Sequence, residues 1–442
     1  MNYFRMLPTL RRIAWLTVAL WPVVLILGVI RYGVNVPFWD QWELVPVFEK
    51  YHQGTLTLLD LAALHNEHRV LFPRMIDLSL AVLTKWNIRA ELLVSFGIML
   101  AAGVLLLLLI QQEFGRDSWV AVAVSFAASG FFYSTIQWEN WLWGWEVGWF
   151  LLVTMLITAI WALTNSAWSH SRSLAVAAMA AIVATYSLAN GMLLWFVLLP
   201  ALFLLRYSLA EKALWGLIAV VSIALYYIGY QVPPGAYPKT LALHHPLAFL
   251  QYALAYIGRP LGAGPFNSAI AGAGLIFVFV TSVGYLCWRH RTLVPLTPWL
   301  TLALFSLISA GVTAFSRLGF GVEQALSSRY ATVSTLFVIS TLVVGTLAVR
   351  NLYSQHANSP MRRILIRVVV GVAIAGGACD FTWNYLRGIR QMQEQSAHLQ
   401  DVRQCLQTVS SSSEDCLLIA YPVKDIVWKR LQYLRQIHWG GF

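Results

Sequence analysis

The sequence predicts an all-α polytopic membrane protein, and its composition and its long apolar runs support this prediction. Of the 442 residues, 59% are hydrophobic and only 11% are charged, whereas soluble domains carry roughly 25% charged residues. So few charges cannot build the surface of a soluble multi-domain protein. Apolar runs of about 20 residues, long enough to cross a bilayer, recur along the chain, and the short connections between them contain Arg or Lys.

Eleven apolar runs are predicted to be transmembrane helices. They cover residues 12–30, 90–110, 119–136, 148–163, 174–188, 192–205, 214–230, 269–288, 296–315, 331–349 and 364–383. The first run follows Arg5, Arg11 and Arg12 without a small-residue cleavage site, which predicts an uncleaved anchor with a cytoplasmic N-terminus. Alternation then places a basic residue in each short cytoplasmic loop. The net charge of +11 therefore needs no nucleic acid partner.

An odd number of spans places the C-terminus outside and divides the chain into a membrane domain, 1–385, and a small outer tail, 386–442. Cys405 and Cys416 lie in this tail and can form a disulfide in an oxidising compartment. The first outward loop, about 31–89, is long and polar. Within it, the apolar segment 69–86 is interpreted as a juxtamembrane helix; as a span it would reverse every later orientation.

A carboxylate just above the membrane surface is the first candidate for catalysis. Asp40 and Glu43 lie in the segment Phe-Trp-Asp-Gln-Trp-Glu, which begins about eight residues beyond the first span. At this height a carboxylate can take a proton from an acceptor hydroxyl while a lipid-linked phosphate lies among the headgroups. The alternative is an aromatic anchor at the interface with solvated acids.

A polar cluster follows in the same loop, and it is expected to bind a phosphate or a sugar. On a helix, His65, His68 and Arg69 share one face; Glu67 lies between them and Arg74 follows. His65 and His68 with Glu67 could instead hold a metal, but no third ligand is in sight, so no metal is predicted.

Two further features face outward, and each has two interpretations. The segment 137–146 packs four Trp and two Glu into ten residues, which suits either an aromatic belt or a sugar platform. Outward cations suit either a lipid phosphate or snorkelling to ordinary headgroups. The candidates from both features are Trp138, Glu139, Asn140, Trp141, Arg259, Arg329 and Tyr330.

The whole pattern over about 12–383 resembles the GT-C superfamily of integral-membrane glycosyltransferases, in particular a bacterial branch. The resemblance rests on the motifs FWDQWE, HNEHR, QWENWLWGW and SSRY, on a long first outward loop and on about eleven spans. It implies that Asp40 is the general base and that Arg329 neutralises a lipid phosphate. Paired acids are common in that superfamily, but here Gln41 and Trp42 separate Asp40 from Glu43. The second acid is left open among Glu43, Glu67 and Glu139.

The expected function is transfer of a hexose or pentose from a polyprenyl-phosphate donor to a glycan or lipid-linked acceptor at the periplasmic face of a bacterial inner membrane. No cofactor is expected; a divalent metal is possible but not predicted. Membrane lipid and small membrane partners, such as a donor synthase or a flippase, are expected. The alternatives are a flippase or transporter of lipid-linked glycans, a glycan polymerase or ligase that relies on outward Arg and His residues, and a non-enzymatic assembly subunit.

Overall fold

A computed structural model of the protein describes residues 2–232, 237–238, 240–356, 359–410 and 414–441. It is 82% helical, which confirms the prediction of an all-α polytopic membrane protein. The helices are α1 Asn2–Val18, α2 Leu20–Tyr32, α3 Val45–His52, α4 Leu58–Leu61, α5 Leu71–Thr84, α6 Ile88–Phe114, α7 Trp119–Phe132, α8 Trp138–Leu142, α9 Val147–Thr164, α10 His170–Thr185, α11 Leu193–Leu204, α12 Leu209–Tyr227, α13 Leu241–His244, α14 Pro246–Gly258, α15 Pro265–His290, α16 Thr297–Arg317, α17 Ser328–Gln355, α18 Pro360–Thr408 and α19 Lys424–Gln436.

Within the described ranges, nine helical segments are long and apolar enough to cross a membrane. They are Leu10–Tyr32, Ile88–Phe114, Trp119–Leu142, Gly144–Thr164, Leu209–Tyr227, Pro265–His290, Val294–Phe320, Ser328–Gln355 and Pro360–Thr408. Nine of the eleven predicted runs fall in these segments. The other two, 174–188 and 192–205, correspond to the shorter apolar helices His170–Thr185 and Ala189–Leu204.

Local sequence signals account for several helix ends. The Ser208 hydroxyl accepts from the Glu211 N–H at 3.2 Å, and the Glu211 carboxylate accepts from the Ser208 N–H at 2.7 Å. This reciprocal cap starts α12, because it pairs amide groups that have no partner within the helix. Gly115 ends α6 at φ 80°, a left-handed conformation that glycine adopts without strain.

The bundle buries some faces and leaves others apolar at its surface. The main core joins α6, α9, α10, α16 and α17. Large apolar side chains on other helices are exposed, among them Leu16 on α1, Val220 on α12, Phe277 on α15 and Val372 on α18. An apolar outer surface is what lipid contact requires of a helical membrane protein.

The first loop begins and ends at the same end of the bundle. Arg89 Nε donates to the Gly33 carbonyl at 3.0 Å, and the Ile88 N–H donates to Asn35 Oδ1 at 2.7 Å, so the end of α2 meets the start of α6. Between them α5 has 14 residues, or about 21 Å, which is short of the roughly 30 Å hydrocarbon core. This length favours the interpretation of segment 69–86 as a juxtamembrane helix.

The tail packs on the first loop and forms a second core. Trp42 and Phe48 of the loop are buried with Val402 and Leu406 of α18 and with Leu431 of α19. Cys405 and Cys416 form a disulfide. Helix α18 runs unbroken from the last apolar run through the proposed boundary at 385–386 into the tail.

Candidate functional site

Asp40 lies in a short 3-10 helix, Trp39–Leu44, that follows the extended chain after α2. Its side chain is 27% exposed. The preceding residue, Trp39, has φ 49°, which is strained for a bulky residue and is typical of functional positions. The Trp39 N–H donates to the Ala420 carbonyl at 2.9 Å. The tail therefore holds the backbone that aims Asp40.

His65 lies beside Asp40, but the prediction of a helix at this point is wrong. Residues Leu64–His65 and His68–Arg69 form an antiparallel hairpin, with His65 opposite His68. Asn66 adopts φ 51° in its turn, a conformation that Asn tolerates better than most residues. A cross-strand pair shares one face of a hairpin and its neighbours take the other, so both His side chains point away from Arg69.

The carboxylate of Asp40 and the imidazole of His65 form the centre of the site. His65 Nε2 is 3.3 Å from Asp40 Oδ2, and the Asn66 amide nitrogen is 3.1 Å from the same ring nitrogen. The His65 ring meets the Trp145 indole edge to face, with 4.7 Å between the centroids. Trp39, the residue before Asp40, is 45% exposed.

The second histidine, His68, is held as a neutral imidazole. The Ala189 N–H donates to His68 Nδ1 at 3.1 Å, so the proton of the ring is on Nε2, 3.8 Å from Glu67 Oε1. Burial lowers the pKa of His68 to about 4, against the opposing charge of Glu67. Glu67 also forms an ion pair with Arg317. Burial raises the pKa of Glu67, but its interactions with His68 and Arg317 outweigh burial, so that this pKa lies below its ordinary value.

Arg329 is surrounded by carboxylates. Its guanidinium lies 2.8 Å from Glu139 Oε1 and 3.7 Å from Glu146 Oε1, and its Cζ is 5.8 Å from the Trp143 ring centroid. Glu146 is 4% exposed. Two acids therefore compensate the cation that the sequence assigned to a lipid phosphate.

Arg69 and Arg74 mainly bind backbone. The Arg69 guanidinium donates to the carbonyls of Tyr226, Ala62 and Ile228, which ties the hairpin to the end of α12. Arg74 is 6% exposed, and its Nη1 donates to the carbonyls of Leu61 and Ala63. These contacts position the first loop and leave few donors for a substrate.

Glu43, the other predicted catalytic acid, pairs with the tail. Arg430 Nη1 and Nη2 donate to its two oxygens at 2.9 and 3.2 Å, and the Tyr421 hydroxyl donates at 3.0 Å. Burial raises the pKa of Glu43, but these contacts outweigh it and the pKa lies below its ordinary value. Glu43 is therefore a docking point for the tail, close to Asp40 in the chain.

Some residues of the Trp-rich segment 137–146 pack in the core, and others contact the site. Trp141 is buried, donates to the Ser134 carbonyl and stacks on Phe150, and Asn140 donates to the Arg329 carbonyl and to Thr332. Trp138 is half-buried against the main core. A Cβ on Gly144 would lie 2.0 Å from Glu91 Oε2, so glycine lets the segment pack closely against the start of α6.

The other two outward candidates lie deeper. Tyr330 is buried and stacks on Tyr256 with 5.2 Å between the ring centroids. Arg259 is 4% exposed, and its Nε donates to the Leu326 carbonyl at 2.8 Å. Burial and the nearby cation of Arg387 lower the pKa of Arg259 to about 10. An anion bound between these two guanidinium groups would stabilise the charged form of Arg259.

Within the described ranges, no three His, Cys, Asp or Glu side chains converge to hold a metal ion. The arrangement brings together Asp40, His65, His68, Glu67, Glu139 and Arg329. Sequence reasoning missed the partners of these residues, Arg317, Glu146, Tyr421, Arg430 and Arg387. Comparison with known proteins found no matching family model, curated protein or solved structure.

Proposed function

We propose that the protein is a membrane glycosyltransferase. It moves a sugar from a polyprenyl-phosphate donor to a hydroxyl group of a glycan or lipid-linked acceptor, with Asp40 as the general base. The observation that carries this proposal is the 3.3 Å contact between the part-exposed Asp40 carboxylate and His65 Nε2. His65 packs against the Trp145 indole, and Asp40 lies eight residues beyond the end of α2, where headgroups and acceptor can meet.

The chemistry needs one proton acceptor and one cationic partner for the leaving group. As the acceptor oxygen bonds to the anomeric carbon, the bond from that carbon to the phosphate oxygen breaks, and the phosphate keeps the electron pair. Asp40 takes the hydroxyl proton, and His65 orients its carboxylate. A positioned general base of this kind contributes roughly 10²- to 10⁴-fold to a rate.

The proposal assigns the phosphate to Arg259 and Arg387. Arg329 already has two carboxylate partners, whereas the charged group that acts on Arg259 is another cation. A dianionic leaving group is stabilised by fixed cations aimed at it. In this proposal Arg329 positions Glu139 and Glu146, and Arg259 with Arg387 faces the lipid phosphate.

The distribution of charges favours a transferase over a flippase or transporter, the alternative from the sequence. A transport pathway calls for ionisable residues deep inside several spans. Here the buried acids Glu91 and Glu146 lie in the first turns of their segments, at the Asp40 end of the bundle. A polymerase or ligase would instead depend on outward Arg and His residues and not on Asp40.

The disulfide between Cys405 and Cys416 supports an oxidising side for the tail, because such bonds persist in secreted and periplasmic settings. The proposal therefore places Asp40 at the periplasmic face of a bacterial inner membrane, with the N-terminus cytoplasmic. A donor synthase or a flippase would supply the lipid-linked sugar at that face.

The test is Asp40→Asn, which keeps the size of the side chain and removes its basicity. In membranes matched for the amount of folded protein, glycan mass and turnover of lipid-linked sugar are measured. We expect turnover to fall at least about 100-fold. Glu49→Gln, an acid of the same loop outside the site, is the control and should keep full turnover. An unchanged glycan in Asp40→Asn would exclude Asp40 as the general base and favour a polymerase or transporter.

A further inference from the structure

A small cavity lies beside His65. Its volume is about 30 Å³. One water needs about 10–15 Å³, so the cavity takes roughly two non-hydrogen atoms. The His65 ring forms part of its wall, and Trp145 lies beside it. This space is too small for a sugar ring but fits a short arm of one.

Three polar atoms in the wall of this cavity have no hydrogen-bond partner among the described residues. They are Asp77 Oδ1, Arg74 Nε and Glu146 Oε1, on side chains that are 1%, 6% and 4% exposed. Buried polar groups are nearly always paired, and an unpaired one lowers stability. Three such atoms around one small space indicate that it receives a polar group.

The donors and acceptors specify that group. Arg74 Nε carries a hydrogen and can only donate, whereas the oxygens of Asp77 and Glu146 can accept. A hydroxyl group both donates and accepts, so it satisfies the two kinds of partner together. A phosphate or a carboxylate has more than two non-hydrogen atoms and does not fit, and a methyl group would leave all three atoms without a hydrogen bond.

We propose that this cavity receives the exocyclic hydroxymethyl group of a hexose whose ring lies against Trp145. The inference rests on the proposed function and specifies its substrate: a hexose, whose CH₂OH arm has two non-hydrogen atoms, and not a pentose. Asp77, Arg74 and Glu146 are then specificity-determining residues. Sites built to bond a hydroxyl reject analogues that lack it far more strongly than apolar pockets reject a missing methylene.

The first test measures binding, which does not depend on transfer. Saturation-transfer difference NMR is recorded on the purified full chain with methyl glycosides in three pairs: glucose with xylose, galactose with arabinose, and mannose with lyxose. Each pentoside lacks only the hydroxymethyl group. We expect at least one hexoside to bind and its pentoside to give at least about ten-fold less saturation transfer. Equal saturation transfer within every pair, or no saturation transfer from any glycoside, overturns the inference.

The second test is Asp77→Leu, which keeps the number of non-hydrogen side-chain atoms and removes the carboxyl group. The hexoside preference of the folded variant should fall at least five-fold. Asp117→Asn, an exposed acid at the end of α6 remote from the cavity, is the control and should keep the preference. A preserved preference in Asp77→Leu contradicts the proposed role of Asp77.

Measuring turnover distinguishes an error in the cavity inference from an error in the proposed function. With polyprenyl-phosphate sugars made from the same pairs, the wild type should prefer the hexose at least about 100-fold. If pentose and hexose are transferred equally and Asp40→Asn still abolishes transfer, the cavity inference is wrong and the transferase stands. If no sugar is transferred but the hexosides still bind selectively, the transferase is wrong and the cavity stands.

Discussion

Both ring nitrogens of His68 face neighbouring groups, and these contacts keep the imidazole neutral in the folded chain. The Ala189 N–H occupies Nδ1, and Nε2 faces Glu67. Protonation of Nδ1 would place two donors against each other and break the contact with the turn before α11. His68 therefore stays neutral while the loop and the turn are in contact.

This arrangement predicts a pH dependence of stability. The pKa of His68 is lowered from 6.5 to about 4, so between these values the unfolded chain binds more protons than the folded one, and stability falls as the pH falls. His68→Asn, whose amide oxygen can replace Nδ1 as acceptor, should melt with a weaker pH dependence over pH 6.5 to 4. His170→Asn is an exposed control; equal slopes in wild type and His68→Asn would contradict the expectation.

Single residues of the site were predictable where a reactive side-chain type lay in the polar loop that follows the first span. Asp40 follows the first span directly, and His65 and His68 stand in the same polar loop, so the candidates were visible in the sequence. Their partners were not, because Arg317 and Arg430 lie hundreds of residues further on. Arg74 was a candidate as part of the polar cluster, but a role for Asp77 was not predicted, because only the folded chain shows that both residues line one cavity.

The element that positions Asp40 is assembled from two distant parts of the chain. The 3-10 helix Trp39–Leu44 is held by the Ala420 carbonyl, by Tyr421 and by Arg430 of the tail. The disulfide joins the end of α18 to the turn that carries Ala420 and Tyr421. The tail thus acts as a clamp on the loop that carries Asp40.

A double-mutant cycle on Glu43 and Arg430 tests the clamp. Glu43→Gln and Arg430→Gln should each lower the melting temperature and the turnover, and the double variant should lose little more than either single one, since both remove the same contact. Measured by thermal unfolding in detergent, the coupling should be about 0.5–3 kcal/mol. Additive losses would show that the two side chains act independently.

Elements differ in how far the sequence predicts them. Long apolar runs fix the helices, because a bilayer imposes the same length on all of them. The hairpin at His65–His68 was predicted as helix, since two residues per strand are too few for a period of two to be visible. Its formation depends on contacts of Arg69 with α12, which no local pattern records.

At the scale of the whole molecule, contact between loop and tail constrains the topology. Glu43 touches Arg430, so the first loop and the tail lie on the same side, and an even number of crossings separates them. Both nine and eleven spans satisfy this condition, whereas ten do not. Accordingly, an even number of the three shorter apolar helices α10, α11 and α14 cross the membrane in addition to the nine long segments.

Cysteine labelling tests this topology directly. In a chain with Cys287→Ser and Cys379→Ser, single cysteines at the exposed positions Gln53, Ser166 and Asp425 are treated with a membrane-impermeant maleimide in intact cells. Gln53→Cys and Asp425→Cys should react from outside, and Ser166→Cys, between α9 and α10, only after permeabilisation. Reaction of Gln53→Cys and Asp425→Cys from opposite sides would contradict the packing of the tail on the loop.

Because α18 is unbroken, tilting of its membrane-spanning part moves its far end like the arm of a lever. From the end of the last apolar run at Trp383 to Thr408 the helix continues for about 37 Å, and its far end carries the disulfide. Transmembrane helices answer a change in bilayer thickness by tilting, and a tilt of about 10° moves the end of such a lever by about 6 Å. The clamp on Asp40 is therefore mechanically linked to the thickness of the surrounding membrane.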